Sequence, residues 1–151
     1  VATTALDVMV QAQVLQLISD LVTERGVGLV MISHDLSVLS SVCDRAAVMY
    51  AGRIVEEGPA HEVFANARHP YSAALGAAFP VIGDPAARKN PGGLAGDPPD
   101  PKRLPDGCSF RPRCAVAVER CGEEPPELLE VDTARVSACF VAQEGEPIVV
   151  R

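Results

Sequence analysis

The chain has 151 residues, about the length of one ordinary domain, and 48% of them are apolar against 22% charged. It has the composition to bury a core and is not disordered on that ground. Thirteen Lys and Arg against twenty Asp and Glu leave a formal charge of −7. That excludes a general nucleic-acid binder, which needs basic surface to displace counterions from phosphates, and argues against adsorption to anionic lipid. No run of about 18 apolar residues is available to cross a bilayer.

The first residues lack the basic and apolar stretches of a secretory signal, and the chain starts at Val1 rather than Met, which reads as an interior start. Asp7 can cap a helix. Val14, Leu17, Ile18, Leu21 and Val22 follow at helical spacing, and Gly26 is a natural stop. Val27 to Ile32 is a short, continuous apolar run, as in a parallel strand buried on both faces. Ser33-His34-Asp35 ends it, and Asp35 can cap a helix from Leu36 to Cys43. Ala46–Tyr50 and Arg53–Glu57 flank Ala51-Gly52 as a predicted hairpin. Short helices are predicted over Ala60–Asn66 and Pro70–Phe79. One buried strand and one hairpin cannot make a stable sheet alone, so residues 1–80 read as the second half of a larger α/β domain.

Ten of the thirteen prolines lie between Pro80 and Pro126. Residues 81–106 are predicted to be a Pro/Gly-rich linker, and residues 107–145 a cysteine-bearing extension.

His34 stands where the predicted strand ends, the edge at which open α/β sheets bind ligands. Alone, a Ser-His-Asp turn is a weak signal. Thr3-Thr4-Ala5-Leu6-Asp7, then Leu29 to Leu36, then Asp44-Arg45 and Val48 to Pro59 form an ordered set over about sixty residues. This set resembles the nucleotide-binding subunits of ABC transporters, which are P-loop NTPase-type proteins. Glu62-Val63-Phe64, His69-Pro70-Tyr71-Ser72 and Leu104 to Cys114 narrow the resemblance to the dipeptide, oligopeptide and nickel importer branch.

The resemblance implies that Thr3–Asp7 is a D-loop, with Asp7 reaching across a nucleotide-sandwich dimer. It implies that His34 is the switch histidine, touching the γ-phosphate of ATP and helping to hold the attacking water. It implies ATP and Mg as cofactors of the complete protein and a peripheral place on the cytoplasmic side of the membrane. The implied partners are a second ATPase subunit, transmembrane permeases and, indirectly, a peptide-binding protein. The phosphate-binding GxxxxGK[ST] loop, the Ser-Gly-Gly signature and the catalytic Glu do not occur in the 151 residues. The chain by itself is therefore expected to be inactive as an ATPase. The competing expectation is a stand-alone metal-binding or interaction module, or a relic of a broken reading frame.

Cys108, Cys114, Cys121 and Cys139 are separated by five, six and seventeen residues, wider gaps than zinc pairs favour. Four thiolates can hold an iron–sulfur cluster or a zinc ion. The spacing favours a [4Fe-4S] cluster, and the branch resembled is also associated with one in its tail. Arg111, Arg113 and Arg120 are expected to lower the thiol pKa values. Cys43 stands apart and reads as a small buried hydrophobe.

Overall fold

The computed structural model describes residues 8–78, 94, 96–97, 99–100 and 102–149. Asp7 with the rest of Thr3–Asp7, Phe79, and most of the predicted linker lie outside the described residues. The chain falls into two compact units, Val1–Asp44 and Arg45–Arg151.

In the first unit, α1 (Val8–Arg25) contains the predicted stripe. Gly26 takes a positive φ of 59°, its N–H donates to the Thr23 carbonyl, and Val27 N–H donates to the Val22 carbonyl. These two bonds are the Schellman closure of a helix C-terminus. The stripe is not buried, since Leu17 and Leu21 are both exposed. Val27 to Ile32 is not a strand. It has no paired neighbour among the described residues, and Val30 and Ile32 are 90% and 83% exposed. A strand satisfies its backbone only against another strand, so an apolar run without one stays irregular. Downstream, Asp35 caps α2 (Leu36–Val42) as expected, with its Oδ1 accepting from Ser37 N and Val38 N. Those bonds, with one from Ser37 Oγ as the largest cause, lower the Asp35 pKa.

The second unit is built on an antiparallel sheet rather than a parallel one. β1 (Arg45–Tyr50) and β2 (Arg53–Pro59) pair as the predicted hairpin. Ala51 and Gly52 both have positive φ, 49° and 79°, the two-residue turn that matches strand twist. After α3 (Ala60–Ala65) and α4 (Pro70–Ala78), the chain returns as β3 (Leu129–Asp132) and β4 (Arg135–Ser137). The sheet order is β1-β2-β4-β3. Glu56 pairs with Ser137 and Glu57 with Val136, so the sheet joins residues from both sides of the proline-rich segment. A last short helix, α5 (Phe140–Gln143), follows Cys139.

Val48, Tyr50, Val55, Val63 and Phe110 form the core of this unit. Tyr50 packs on Tyr71 with ring centroids 4.7 Å apart, and Phe110 meets Tyr50 edge-on at 5.1 Å. Such geometries are favoured by the ring quadrupoles.

Beside this core lies a buried ion pair. Glu56 is 0% and Arg135 4% exposed, and Arg135 Nη2 donates to Glu56 Oε1 at 3.0 Å. The same nitrogen donates to the Asn66 carbonyl at 2.6 Å. Glu56 Oε1 accepts from Arg68 N at 2.7 Å and Oε2 from His69 N at 2.9 Å. Ser137 Oγ donates to the Arg68 carbonyl at 2.7 Å. The pair therefore ties β2, β4 and the loop before α4 together.

Removing one partner of a buried pair leaves an uncompensated charge, at a cost of about 3–5 kcal/mol. Arg135→Met should lose that much stability in denaturant titrations. The double variant Glu56→Gln, Arg135→Met should recover part of the loss, because no charge stays buried. Equal stability of the single variant and the native chain would contradict this account.

His69 is 2% exposed, and burial lowers its pKa from 6.5 to about 4. The folded form resists protonation, so the unfolded form binds more protons as pH falls. Stability from the neutral ring is thus complete above about pH 6.5 and is lost as pH falls toward about 4, by about 3 kcal/mol. Denaturant midpoints should fall across that window, and His69→Asn should flatten the slope.

Candidate functional site

The backbone around the cysteines is pinned first. Gly107 has φ of 74°, and a Cβ there would lie 2.4 Å from the Cys121 carbonyl oxygen. Only glycine permits that approach, which lets Cys108 N–H donate to the same carbonyl at 2.9 Å. A 3-10 turn over Arg111–Arg113 presents Cys114, and a second over Glu119–Gly122 carries Cys121. Cys139 leaves the end of β4 as the N-cap of α5.

These elements bring Cys108, Cys114, Cys121 and Cys139 to one narrow apolar cavity. Cys114 feels the charge of the other three, Cys139 that of Cys121 and Cys108, and Cys108 that of Cys121. None is in a disulfide. Among the described residues, no three His, Cys, Asp or Glu side chains stand close enough to hold a single metal ion. All four cysteines line the cavity, yet they do not form such a group.

The expected lowering of the thiol pKa values is not found. Burial comes first and pushes Cys108 and Cys139 up, and pushes Cys114 up to about 11. Arg113 and Arg120 are engaged elsewhere, while Arg111 lines the cavity itself. Arg120 lies over the Phe140 ring at 4.2 Å and pairs with Glu124 at 2.7 Å. Arg113 Nη2 donates to the Leu94 carbonyl at 3.3 Å, and the Arg111 guanidinium packs against Gly122.

His69 lines the same cavity, a placement that local sequence did not foretell. Its backbone N–H is held by Glu56, and its Nδ1 accepts from Tyr71 N at 3.1 Å. His69-Pro70-Tyr71 was visible as a motif, but the contact with cysteines that follow it by dozens of residues was not. A larger open cavity of about 790 Å³ adjoins, lined by Arg53, Ile54, Leu129 and Gln143 among others, and shares His69, Cys108 and Phe110.

The nucleotide candidates belong to the other unit. His34 is exposed in the irregular segment just before the α2 cap. Asp7 lies outside the described residues. The structure brings the four cysteines together and does not gather His34 and Asp7 into a described site. Cys43 is half-buried after α2, with its pKa raised by burial and by Asp44.

A family model described as "Oligopeptide/dipeptide transporter, C-terminal region" matches residues 55–121. The "Probable peptide ABC transporter ATP-binding protein y4tS" of Sinorhizobium fredii is 49% identical over 140 residues, covering 93% of this chain and 39% of that protein. The dipeptide transport ATP-binding protein DppF of Haemophilus influenzae is 45% identical, over 90% of this chain and 41% of its own length. The oligopeptide transport ATP-binding protein OppD of Salmonella typhimurium is also 45% identical, over 91% of this chain and 40% of its own. The chain thus spans about two fifths of the length of the curated relatives it matches. Most of β2, the helix opened by Pro70 and the first three clustered cysteines fall within the matched family region, and the chain belongs to the ATP-binding proteins of peptide ABC transporters, corresponding to their C-terminal part.

Proposed function

We propose that this chain is the C-terminal part of an ATPase subunit that powers import of di- or oligopeptides. The observation that carries this is the 49% identity over 93% of the chain to a protein named as a peptide ABC transporter ATP-binding protein. In the complete protein, ATP and Mg would bind at motifs that do not occur in these 151 residues. Phosphoryl transfer depends on positioning and charge stabilisation. Asp7 would act across the dimer toward the partner's phosphate loop. His34 would contact the γ-phosphate. The exposed run Val27 to Ile32 would gain its missing neighbour strands from the rest of that domain. The partners would be a second ATPase subunit and transmembrane permeases, at the cytoplasmic face. No helix among the described residues is long and apolar enough to cross a membrane, which agrees with a peripheral role.

Expressed as these 151 residues, the chain should release no phosphate from ATP above background. Joined to an N-terminal portion bearing the phosphate loop and the Ser-Gly-Gly signature, it should turn ATP over. His34→Ala in that joined protein should cut the rate about 100-fold or more. An unchanged rate would remove His34 from the mechanism.

The four cysteines would hold an iron–sulfur cluster. The donor set supports this reading: all four cysteines line one apolar cavity, and Cys114 interacts with the other three. A cubane cluster takes one thiolate at each of four corners. When bound, it would supply a redox-sensitive crosslink between the Cys108–Cys121 loops and the end of β4. Because burial holds the free thiols protonated, loading must release protons and should weaken as pH falls. Anaerobically purified protein should be brown and contain iron and sulfide. Cys114→Ala should remove most of both. An iron-free, colourless native protein, or zinc in its place, would sink the cluster reading.

A further inference from the structure

We infer that the open groove bordered by β2 and residues 125–129 binds a short peptide with free amino and carboxyl termini. Such a site is independent of both the ATPase and the cluster readings.

The groove has the size and the apolar wall for it. Its volume is about 790 Å³, and ligand sites typically measure about 300–1,000 Å³. Ile54, Leu128 and Leu129 border it and stay 40%, 38% and 48% exposed. Apolar side chains gathered along one groove and left open to water favour an occupant with apolar side chains of its own.

Two opposite charges also stand on the groove without meeting. Arg53 and Glu127 both line it and are both exposed. Among the described residues, neither forms an ion pair with the other or with any other side chain. Arg120 and Glu124, by contrast, already neutralise each other at 2.7 Å. A guanidinium takes a carboxylate and a carboxylate takes an ammonium. One molecule that carries both groups, set apart by an apolar body, answers both residues. A peptide with free termini has that chemistry.

The backbone offers the third feature. β4 pairs with β2 only at Glu56 and Glu57, and Ala138 N–H donates to the Val55 carbonyl. Before that point Arg53 and Ile54 have a strand neighbour on the β1 side alone. Across a two-residue turn Tyr50 and Arg53 bond to each other, so the Ile54 N–H and C=O face the open edge. An extended peptide satisfies such an edge by adding as a strand. Tyr50 also lines the groove, and its buried hydroxyl has no partner among the described residues. A seated peptide brings carbonyl acceptors to that wall.

The test titrates the purified chain calorimetrically with the tripeptide Ala-Leu-Ala, without nucleotide. The native chain should bind it saturably. Acetylating its amino end or amidating its carboxyl end should each weaken binding about tenfold, the loss of one charge-assisted contact. Arg53→Gln should weaken the free peptide by a similar factor and leave the amidated one unchanged. Glu127→Gln should weaken the free peptide and leave the acetylated one unchanged. Hydrogen exchange at the Ile54 amide should slow when the native groove is filled. Absence of saturable binding by the native chain overturns the inference. So does equal binding of either blocked peptide, which would make the occupant an apolar anion or an apolar amine instead. If a variant does not fold, the blocked peptides on the native chain decide alone. With no nucleotide present, failure here leaves the ATPase reading standing, and the two outcomes are distinguishable.

Discussion

The second unit depends on a carboxylate and a guanidinium placed where water cannot reach them. Each costs several kcal/mol to desolvate, and mutual attraction offsets that only when the remaining lone pairs and protons are also engaged. Glu56 engages both oxygens, with two backbone N–H groups and Arg135. Arg135 Nη2 also donates to the Glu62 and Asn66 carbonyls, whereas its buried Nε has no partner among the described residues. Gly58 makes room, since a Cβ there would lie 2.9 Å from the Arg135 side chain. The β2–β4 ladder itself is two residue pairs long. The buried pair, more than the ladder, holds the returning strand in register and sets the His69 backbone beside the cysteines.

What could be read from the sequence was local. The α1 stripe, the Asp35 cap and the Ala51-Gly52 turn each rest on neighbouring residues, and each is present. Val27 to Ile32 has a strand's composition, yet pairing is a property of two segments, and the second is not among the described residues. β3 and β4 were passed over for a different reason. Leu129 to Asp132 does alternate apolar and acidic residues, but the turn uses Ala134 at a positive φ of 58° where Gly or Asn would have signalled a hairpin. The expectation of a parallel sheet rested instead on the apolar run Val27 to Ile32 and the alternation of strand and helix signals around it.

The cysteines line one cavity, and their spacing in sequence is silent about its environment. Their spacing suggested one cluster, and all four line one cavity. The arginines between them suggested an electropositive site. Sequence distance does not say which way a guanidinium points, and these point at Glu124, Phe140, Gly122 and a main-chain carbonyl. Desolvation is then left unopposed by positive charge, and the thiols are held neutral.

Glu56 and Arg135 are 79 residues apart. At a synthesis rate of about 5–20 residues per second, the hairpin waits roughly 4–16 s on the ribosome before its counter-ion has even been made. During that interval the carboxylate stays hydrated and the outer edge of β2 stays open, so the hairpin closes before the pocket of sulfurs can be completed. A ligand of all four sulfurs therefore meets a chain already synthesised as far as Cys139, with the hairpin behind it closed.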